Sequence, residues 1–94
     1  MTDDQYLTAW LDDEVNQGNL ENVVKLIEQG ANVNGRNVLG NTALMAAAYT
    51  GQLNMVRLLL VRGADRSLQG FDGKTAREMA EQIGRQEVAL VLEE

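Results

Sequence analysis

The sequence predicts an all-α solenoid, in which short helix-turn-helix pairs stack in one direction and hairpin-like loops project from one edge. The first observation is a set of glycine pairs that are all 33 residues apart, namely Gly18 and Gly51, Gly51 and Gly84, Gly30 and Gly63, and Gly40 and Gly73. The second is that Leu26, Leu59 and Leu92 keep the same step. The third is that the segments between these glycines show helical apolar spacing. A fixed period of this length indicates a repeat protein.

The period divides the chain into three units of two helices each, with units at 1–33, 34–66 and 67–94 and predicted helices at 3–17, 21–29, 42–50, 54–62, 75–83 and 86–92. In the first unit, Thr2–Gln5 (TDDQ) fits a capping box at the start of the first helix. Gly18 then stands where a left-handed residue ends a helix.

An aromatic cluster, formed by Tyr6, Leu7 and Trp10, lies early in the first helix. Such a cluster can resemble a binding spot. Its spacing is more typical of a helix face that packs on a neighbouring helix. We therefore predict that it packs the first helix onto the next repeat.

The middle unit is the most apolar part of the chain, because no charged side chain occurs between Asn37 and Val56. Its polar residues and the break at Gly51 exclude a membrane span, which needs about 18 or more apolar residues in succession. Thr42 is a plausible N-cap without the reciprocal acid of a capping box. Alanines dominate its first helix and bulky aliphatic residues its second, as expected of a middle layer covered on both sides.

The last unit begins its first helix with TARE, Thr75–Glu78, which predicts a capping box. Arg77 and Glu81 stand where the middle unit has Leu44 and Ala48. In the first unit, Asp13 and Glu14 likewise stand where the middle unit has small residues. Polar residues at core-like positions suit terminal repeats, which meet water on one face. The sequence thus predicts two polar capping repeats around one apolar layer.

The composition excludes several kinds of chemistry. The chain has no Cys and no His, which removes thiolate and imidazole catalysis and metal ligation by these groups. Its net charge of −6 argues against binding nucleic acid or an anionic membrane and favours a basic partner. Its carboxylates are adjacent in sequence and diverge around a helix, and GKT at Gly73–Thr75 lacks the rest of a phosphate loop. We expect no cofactor, no small-molecule substrate and no catalytic activity. Because no signal peptide is evident, we expect a cytoplasmic protein. We also expect it to be a monomer.

The stretch GNTALMAAAYTGQLNMVRLLLVRGAD, Gly40–Asp65, resembles an ankyrin repeat. The positions that match the pattern of that family are Gly40, Thr42, Leu44, Ala47, Ala48, Gly51, Val56, Leu59, Leu60, Gly63, Ala64 and Asp65. Parts of the same pattern recur at Gly18–Asn34 and Gly73–Glu94, so that the resemblance covers essentially the whole chain. The chain departs from it where Ala43 and Ala76 replace the usual proline.

The resemblance implies recognition of another protein through the loops, called fingers in this family, and through the exposed side of the first helices. The implied finger residues are Arg36, Val38, Leu39 and Asn41 in one loop and Gln69, Phe71, Asp72 and Lys74 in the next. The implied helical residues are Asp13, Asn16, Gln17, Ala46, Tyr49, Thr50, Gln82 and Ile83.

Phe71 is the strongest of these candidates, because it is an aromatic residue in a loop between Gly70 and Asp72. It could instead fold back onto the preceding finger. Val38 lies 33 residues earlier and could align with Phe71, either for binding or as a pairing between fingers. Tyr49 has an apolar body and a polar tip, which suits an interface or a surface contact with its neighbours.

Four functions remain open at this point. The first is a module that binds another protein, and the second is an acidic inhibitor or immunity-type protein that covers a basic site on an enzyme or toxin. The third is an enzyme that uses carboxylates, and the fourth is an engineered scaffold without a natural partner. The acidic balance favours the second only weakly, since it also promotes solubility.

Overall fold

A computed structural model describes residues 3–93 of the chain, and within that range it shows six α-helices. They are α1 (Asp3–Gln17), α2 (Leu20–Glu28), α3 (Ala43–Tyr49), α4 (Leu53–Val61), α5 (Ala76–Gln82) and α6 (Gln86–Glu93). No boundary differs from the predicted one by more than one residue. The predicted capping box at Thr2–Gln5 begins outside the described residues.

The helices form three pairs, α1 with α2, α3 with α4 and α5 with α6. The first helices of the pairs also stack on one another in the order α1, α3, α5, and α4 contacts α6. This arrangement confirms the predicted all-α solenoid. Helix α3 is therefore the middle member of the row, with a helix pair on either side.

Among the described residues, the middle pair provides more buried apolar side chains than either of the other pairs. In α3, Ala47 and Ala48 are completely buried, so that the small side chains allow α1 and α5 to approach closely. In α4, Val56 and Leu59 are completely buried as well. The charge-free run of the sequence is thus explained by burial on both sides of α3.

Two capping boxes start the first helices of the second and third pairs. In α5, Thr75 Oγ1 accepts from the Glu78 backbone N–H at 3.3 Å, while Glu78 Oε1 accepts from the Thr75 N–H at 3.0 Å. In α3 the predicted N-cap at Thr42 is present, and a sulfur atom takes the place of the absent reciprocal acid. The Thr42 N–H donates to Met45 Sδ at 3.4 Å, and Thr42 Oγ1 accepts from the Met45 N–H at 3.4 Å. Sulfur is a weak acceptor that nevertheless completes the box.

The capping box of α5 predicts a dependence of stability on pH. Hydrogen bonds from Thr75 to the Glu78 carboxylate lower the pKa of that carboxyl group. A lowered folded-state pKa stabilises the protein above the ordinary pKa of glutamate, and this contribution is lost as the pH falls toward the lowered value. We expect Glu78→Gln to flatten the acid limb of unfolding free energy against pH. Thr75→Ala should lower stability at neutral pH by about 1 kcal/mol. Urea unfolding at several pH values measures both, and an unchanged acid limb in Glu78→Gln would contradict the first expectation.

The loops before α3 and α5 are short hairpins. Within residues 3–93, each contains one isolated antiparallel bridge, between Arg36 and Thr42 in the first hairpin and between Gln69 and Thr75 in the second. We call residues 36–42 finger 1 and residues 69–75 finger 2. Gly40 ends the turn of finger 1 with a φ of +83°, which favours glycine.

Side-chain amides tie successive layers together. Gln52 Nε2 donates to the backbone oxygen of Val15 at 2.7 Å and thereby links the start of α4 to the end of α1. Asn34 donates to the oxygen of Gly63 at 3.2 Å and accepts from the Asp65 N–H at 2.7 Å. These bonds join corresponding parts of adjacent layers, so the loops share the register of the helices.

The prediction that Tyr6 and Trp10 pack the first helix onto the next repeat is wrong. Their exposed fractions are 55% and 60%, respectively. Leu7 is partly buried and contacts the core, while Leu11 and Val15 provide the buried face of α1. The spacing placed the aromatic residues on one face correctly, but no described helix covers that face.

None of the helices in the described part of the chain combines the length and the apolarity that crossing a membrane requires.

Candidate binding surface

Two adjacent depressions lie where the fingers meet α3 and α5. The first has a volume of about 300 Å³, and its lining residues are Asn41, Tyr49, Phe71, Asp72, Met79, Gln82 and Ile83. The second has a volume of about 350 Å³, and its lining residues are Asp12, Asn16, Asn37, Leu39, Asn41, Met45, Ala46, Tyr49, Thr50 and Met79. Because the two share Asn41, Tyr49 and Met79, we treat them as one surface and call it the groove.

The structure brings most of the implied binding residues together in the groove. The members of the implied set that line it are Leu39, Asn41, Tyr49, Thr50, Phe71, Asp72, Gln82 and Ile83, together with Asn16 and Ala46. Those that do not line it are Arg36, Val38, Gln69, Lys74, Asp13 and Gln17. The fingers and the first helices therefore contribute to a single surface.

Phe71 stands at the edge of the groove with 86% of its surface exposed. It does not fold back as packing, although its backbone approaches finger 1 closely. A Cβ placed on Gly40 would lie 3.7 Å from the Cβ of Phe71. That distance is an ordinary van der Waals contact, so the two fingers touch at this point while the ring of Phe71 stays exposed.

Finger 1 holds finger 2 in place through hydrogen bonds. The guanidinium of Arg36 donates to the backbone oxygens of Gly40 at 2.7 Å and of Gln69 at 2.6 Å. Asn41 Oδ1 accepts from the Phe71 N–H at 3.3 Å. Arg36 and Asn41 consequently position Phe71, a role that the resemblance did not specify for them.

Val38 projects at the turn of finger 1 and is completely exposed. It lies outside the groove, whereas its neighbour Leu39 lines it with 65% of its surface exposed. Val38 and Phe71 occupy corresponding positions in the two fingers, but Val38 does not line the groove, whereas Phe71 does. A partner that fills the groove would have to extend past finger 1 to reach Val38.

The charged side chains that line the groove are acidic. Among the described residues that line it, the charged ones are Asp12 and Asp72. Asp12 Oδ2 accepts from Asn37 Nδ2 at 3.4 Å. Lys74 does not line the groove, although its ammonium donates to Oε1 of the lining residue Gln82 and keeps its positive charge there. A partner would meet two carboxylates beside apolar and aromatic side chains.

Sequence reasoning missed four residues of the groove: Asp12, Asn37, Met45 and Met79. Asp12 could have been found, since it precedes Asn16 by one helical turn and the resemblance implied Asn16. Met45 and Met79 are 2% and 8% exposed, so they form the floor of the groove as much as part of the core. Their exposure could not be read from the sequence, because neighbouring helices determine it.

The described residues that line the groove form no arrangement that points to catalysis. Within the described range, no cluster of His, Cys, Asp and Glu side chains could hold a metal ion. The pKa of Asp65 is lowered by hydrogen bonds from the side chain and backbone of Ser67, and this pair lies outside the groove. Asp65 and Ser67 shape the loop between α4 and finger 2.

Comparisons with known proteins agree with this architecture. A family model described as ankyrin repeats (many copies) matches residues 26–80. The chain is 42% identical over 67 residues to an ankyrin repeat-containing protein of Caenorhabditis elegans, which covers 71% of this chain and 6% of that protein. It is 39% identical over 84 residues to the human ARF GTPase-activating protein GIT2, covering 88% of this chain and 11% of that protein.

A third relative is the potassium channel AKT1 of Arabidopsis thaliana, at 33% identity over 78 residues, or 83% of this chain and 9% of the channel. The chain thus spans between 6% and 11% of the length of these three relatives. The similarity concerns a repeat segment that occurs in proteins with very different names.

Proposed function

Because this chain belongs to the ankyrin-repeat family, whose members are generally non-enzymatic modules for protein–protein interaction, we propose that it binds another protein through the groove and the tips of both fingers. The observation that carries the proposal is the exposure of Tyr49 and Phe71, which both line one depression. Aromatic residues are the usual anchors of protein interfaces.

The shape of the surface supports a protein rather than a small molecule as the partner. The two depressions are shallow and continuous, and exposed side chains extend beyond them to Val38 at the tip of finger 1. Small-molecule sites bury most of their ligand in a concave pocket. A surface that spreads across two fingers and three helices suits a segment or face of another folded chain.

A charged substitution at Phe71 tests the proposal. We expect Phe71→Glu to weaken binding of the partner at least tenfold, because it places a carboxylate where an apolar contact would be desolvated. A second substitution, Val38→Glu, should abolish the remaining binding. Affinity capture from extracts of the source cell identifies the bound protein, and calorimetric titration of that protein measures the loss.

The matched control is Val61→Glu. Val61 lies on α4, outside the groove, and is 83% exposed, so it receives the same charge at a comparable exposure. This variant should bind normally, and all variants should keep helical circular dichroism. Normal binding by the Phe71 and Val38 double variant would overturn the groove as the binding surface.

The acidic groove favours a second candidate function, in which the protein covers a basic site on an enzyme or toxin. Asp12 and Asp72 are the charged residues observed in its lining. If a basic site is the target, association should slow strongly as the salt concentration rises, because screening weakens long-range attraction. Stopped-flow measurements between about 0.05 and 0.5 M salt test this. Salt-independent association would exclude this candidate and leave the general binding module intact.

A further inference from the structure

Helix α1 leaves an aromatic face uncovered at one end of the stack. Tyr6 and Trp10 are separated by one helical turn and therefore lie on the same side of the helix. They are 55% and 60% exposed, whereas Leu11 and Val15 bury the opposite part of α1 against the core. We call Tyr6, Trp10, Asp13 and Glu14 the α1 face.

The other end of the stack is closed in a different way. Helix α5 exposes Arg77 and Glu81, which form an ion pair at 2.9 Å. An exposed ion pair one turn apart is well solvated and presents no aromatic contact. The two ends therefore differ, because the exposed aromatic side chains lie at the α1 end, whereas the other end exposes the aliphatic Leu90 of α6.

The α1 face is also strongly acidic. The helix DDQYLTAWLDDEVNQ contains five acidic residues and no basic one. Asp13 and Glu14 follow Trp10 by three and four residues and share its side of the helix. Glu14 Oε2 is buried and, among the described residues, accepts no hydrogen bond. The most exposed carboxylate of the α1 face is therefore that of Asp13.

The charges decide which partner fits. A second copy of this chain would bring the Asp13 and Glu14 carboxylates of one α1 face against those of the other, and like charges at close range oppose association. A lysine or arginine can instead lie over the indole ring of Trp10 and pair with Asp13 at the same time. We propose that the α1 face binds a segment of another protein that carries lysine or arginine beside apolar residues, as an amphipathic basic helix does.

This surface is independent of the groove. Asp12 and Asn16 line the groove from a different side of α1, and neither Tyr6 nor Trp10 contributes to it. One molecule of this chain could therefore hold one partner at the α1 face and another at the groove. The proposal for the α1 face stands or fails without reference to the function proposed for the groove.

Trp10 provides a direct signal for the test, because it is the only tryptophan of the chain. The probe is a synthetic amphipathic helix of leucine and lysine, with a matched peptide in which glutamate replaces lysine. We expect the lysine peptide to shift and saturate the fluorescence of Trp10, and the glutamate peptide to have no effect. No saturable change with the lysine peptide would overturn the proposal.

Two charge reversals separate a local contact from a general effect of net charge. Asp13→Lys should weaken binding of the lysine peptide at least tenfold. Glu93→Lys reverses a charge in the same way at an exposed position of α6, at the other end of the stack. It should leave the affinity for the lysine peptide within about twofold of that of the unchanged protein. Phe71→Glu, in the groove, should also leave it unchanged.

Equal losses for Asp13→Lys and Glu93→Lys would show that net charge alone attracts the peptide, which would overturn the proposal. A fluorescence shift of the protein alone that grows with its own concentration, together with dimers in sedimentation, would also overturn it. In that case a second copy would be the occupant of the α1 face.

Discussion

Leu59→Ala is expected to lower the free energy of unfolding by about 2–5 kcal/mol. Leu59 lies in the middle of α4 and is completely buried in the core. Truncation removes the transfer free energy of its side chain and leaves a cavity that the packed helices cannot fully close. For a domain of this size, whose total stability is in the range of about 5–15 kcal/mol, such a loss is severe.

Urea unfolding followed by circular dichroism measures this loss. Leu90→Ala is the matched control, because Leu90 is the same residue type in the last helix and is 61% exposed. It should change the unfolding free energy by less than about 1 kcal/mol. Similar effects at the two positions would contradict the assignment of α4 to the middle of the core.

The second large effect is expected from a larger side chain at a buried position between the first helices of the three pairs. Ala47 lies in α3, which packs between α1 and α5, and no part of Ala47 is exposed. Ala47→Leu inserts three carbon atoms where the helices already touch. It should cost about 1–3 kcal/mol, because α3 can move away from α1 only by approaching α5.

Thermal unfolding provides the measurement, with Ala9→Leu as the control. Ala9 lies on α1 and is exposed, so the same change there adds a side chain to solvent and should shift the midpoint little. If the Ala47→Leu variant has the same melting temperature as the unchanged protein, α1, α3 and α5 do not pack closely around position 47.

The helices were predictable because their limits depend on local signals. Gly51 adopts a φ of +72° at the end of α3, and Thr75 caps α5 with the hydrogen bonds that the TARE motif predicts. Both effects act within four residues along the chain. The cap of α3 was only half predicted, because Met45 is not a residue that a capping motif names as an acceptor.

The residues of the proposed binding surface were predictable only in part. The resemblance implied residues in the fingers and on the first helices, and most of them line the groove. It did not show that Arg36 and Asn41 hold finger 2 in position. Nor did the helical spacing reveal whether the face with Trp10 is covered. Both depend on residues that lie far away in the sequence.

By itself the sequence determined the order and limits of the helices, the repeat of 33 residues and the burial of the middle pair. Glycine turns, N-caps and apolar periodicity decide these features, and all of them act over short distances along the chain. Only the tertiary structure decided that Phe71 is free, that Met45 and Met79 form the floor of the groove, and that the α1 face is exposed. The physical reason is that the exposure of a side chain depends on which neighbours pack against it, and in a solenoid those neighbours come from the adjacent repeat.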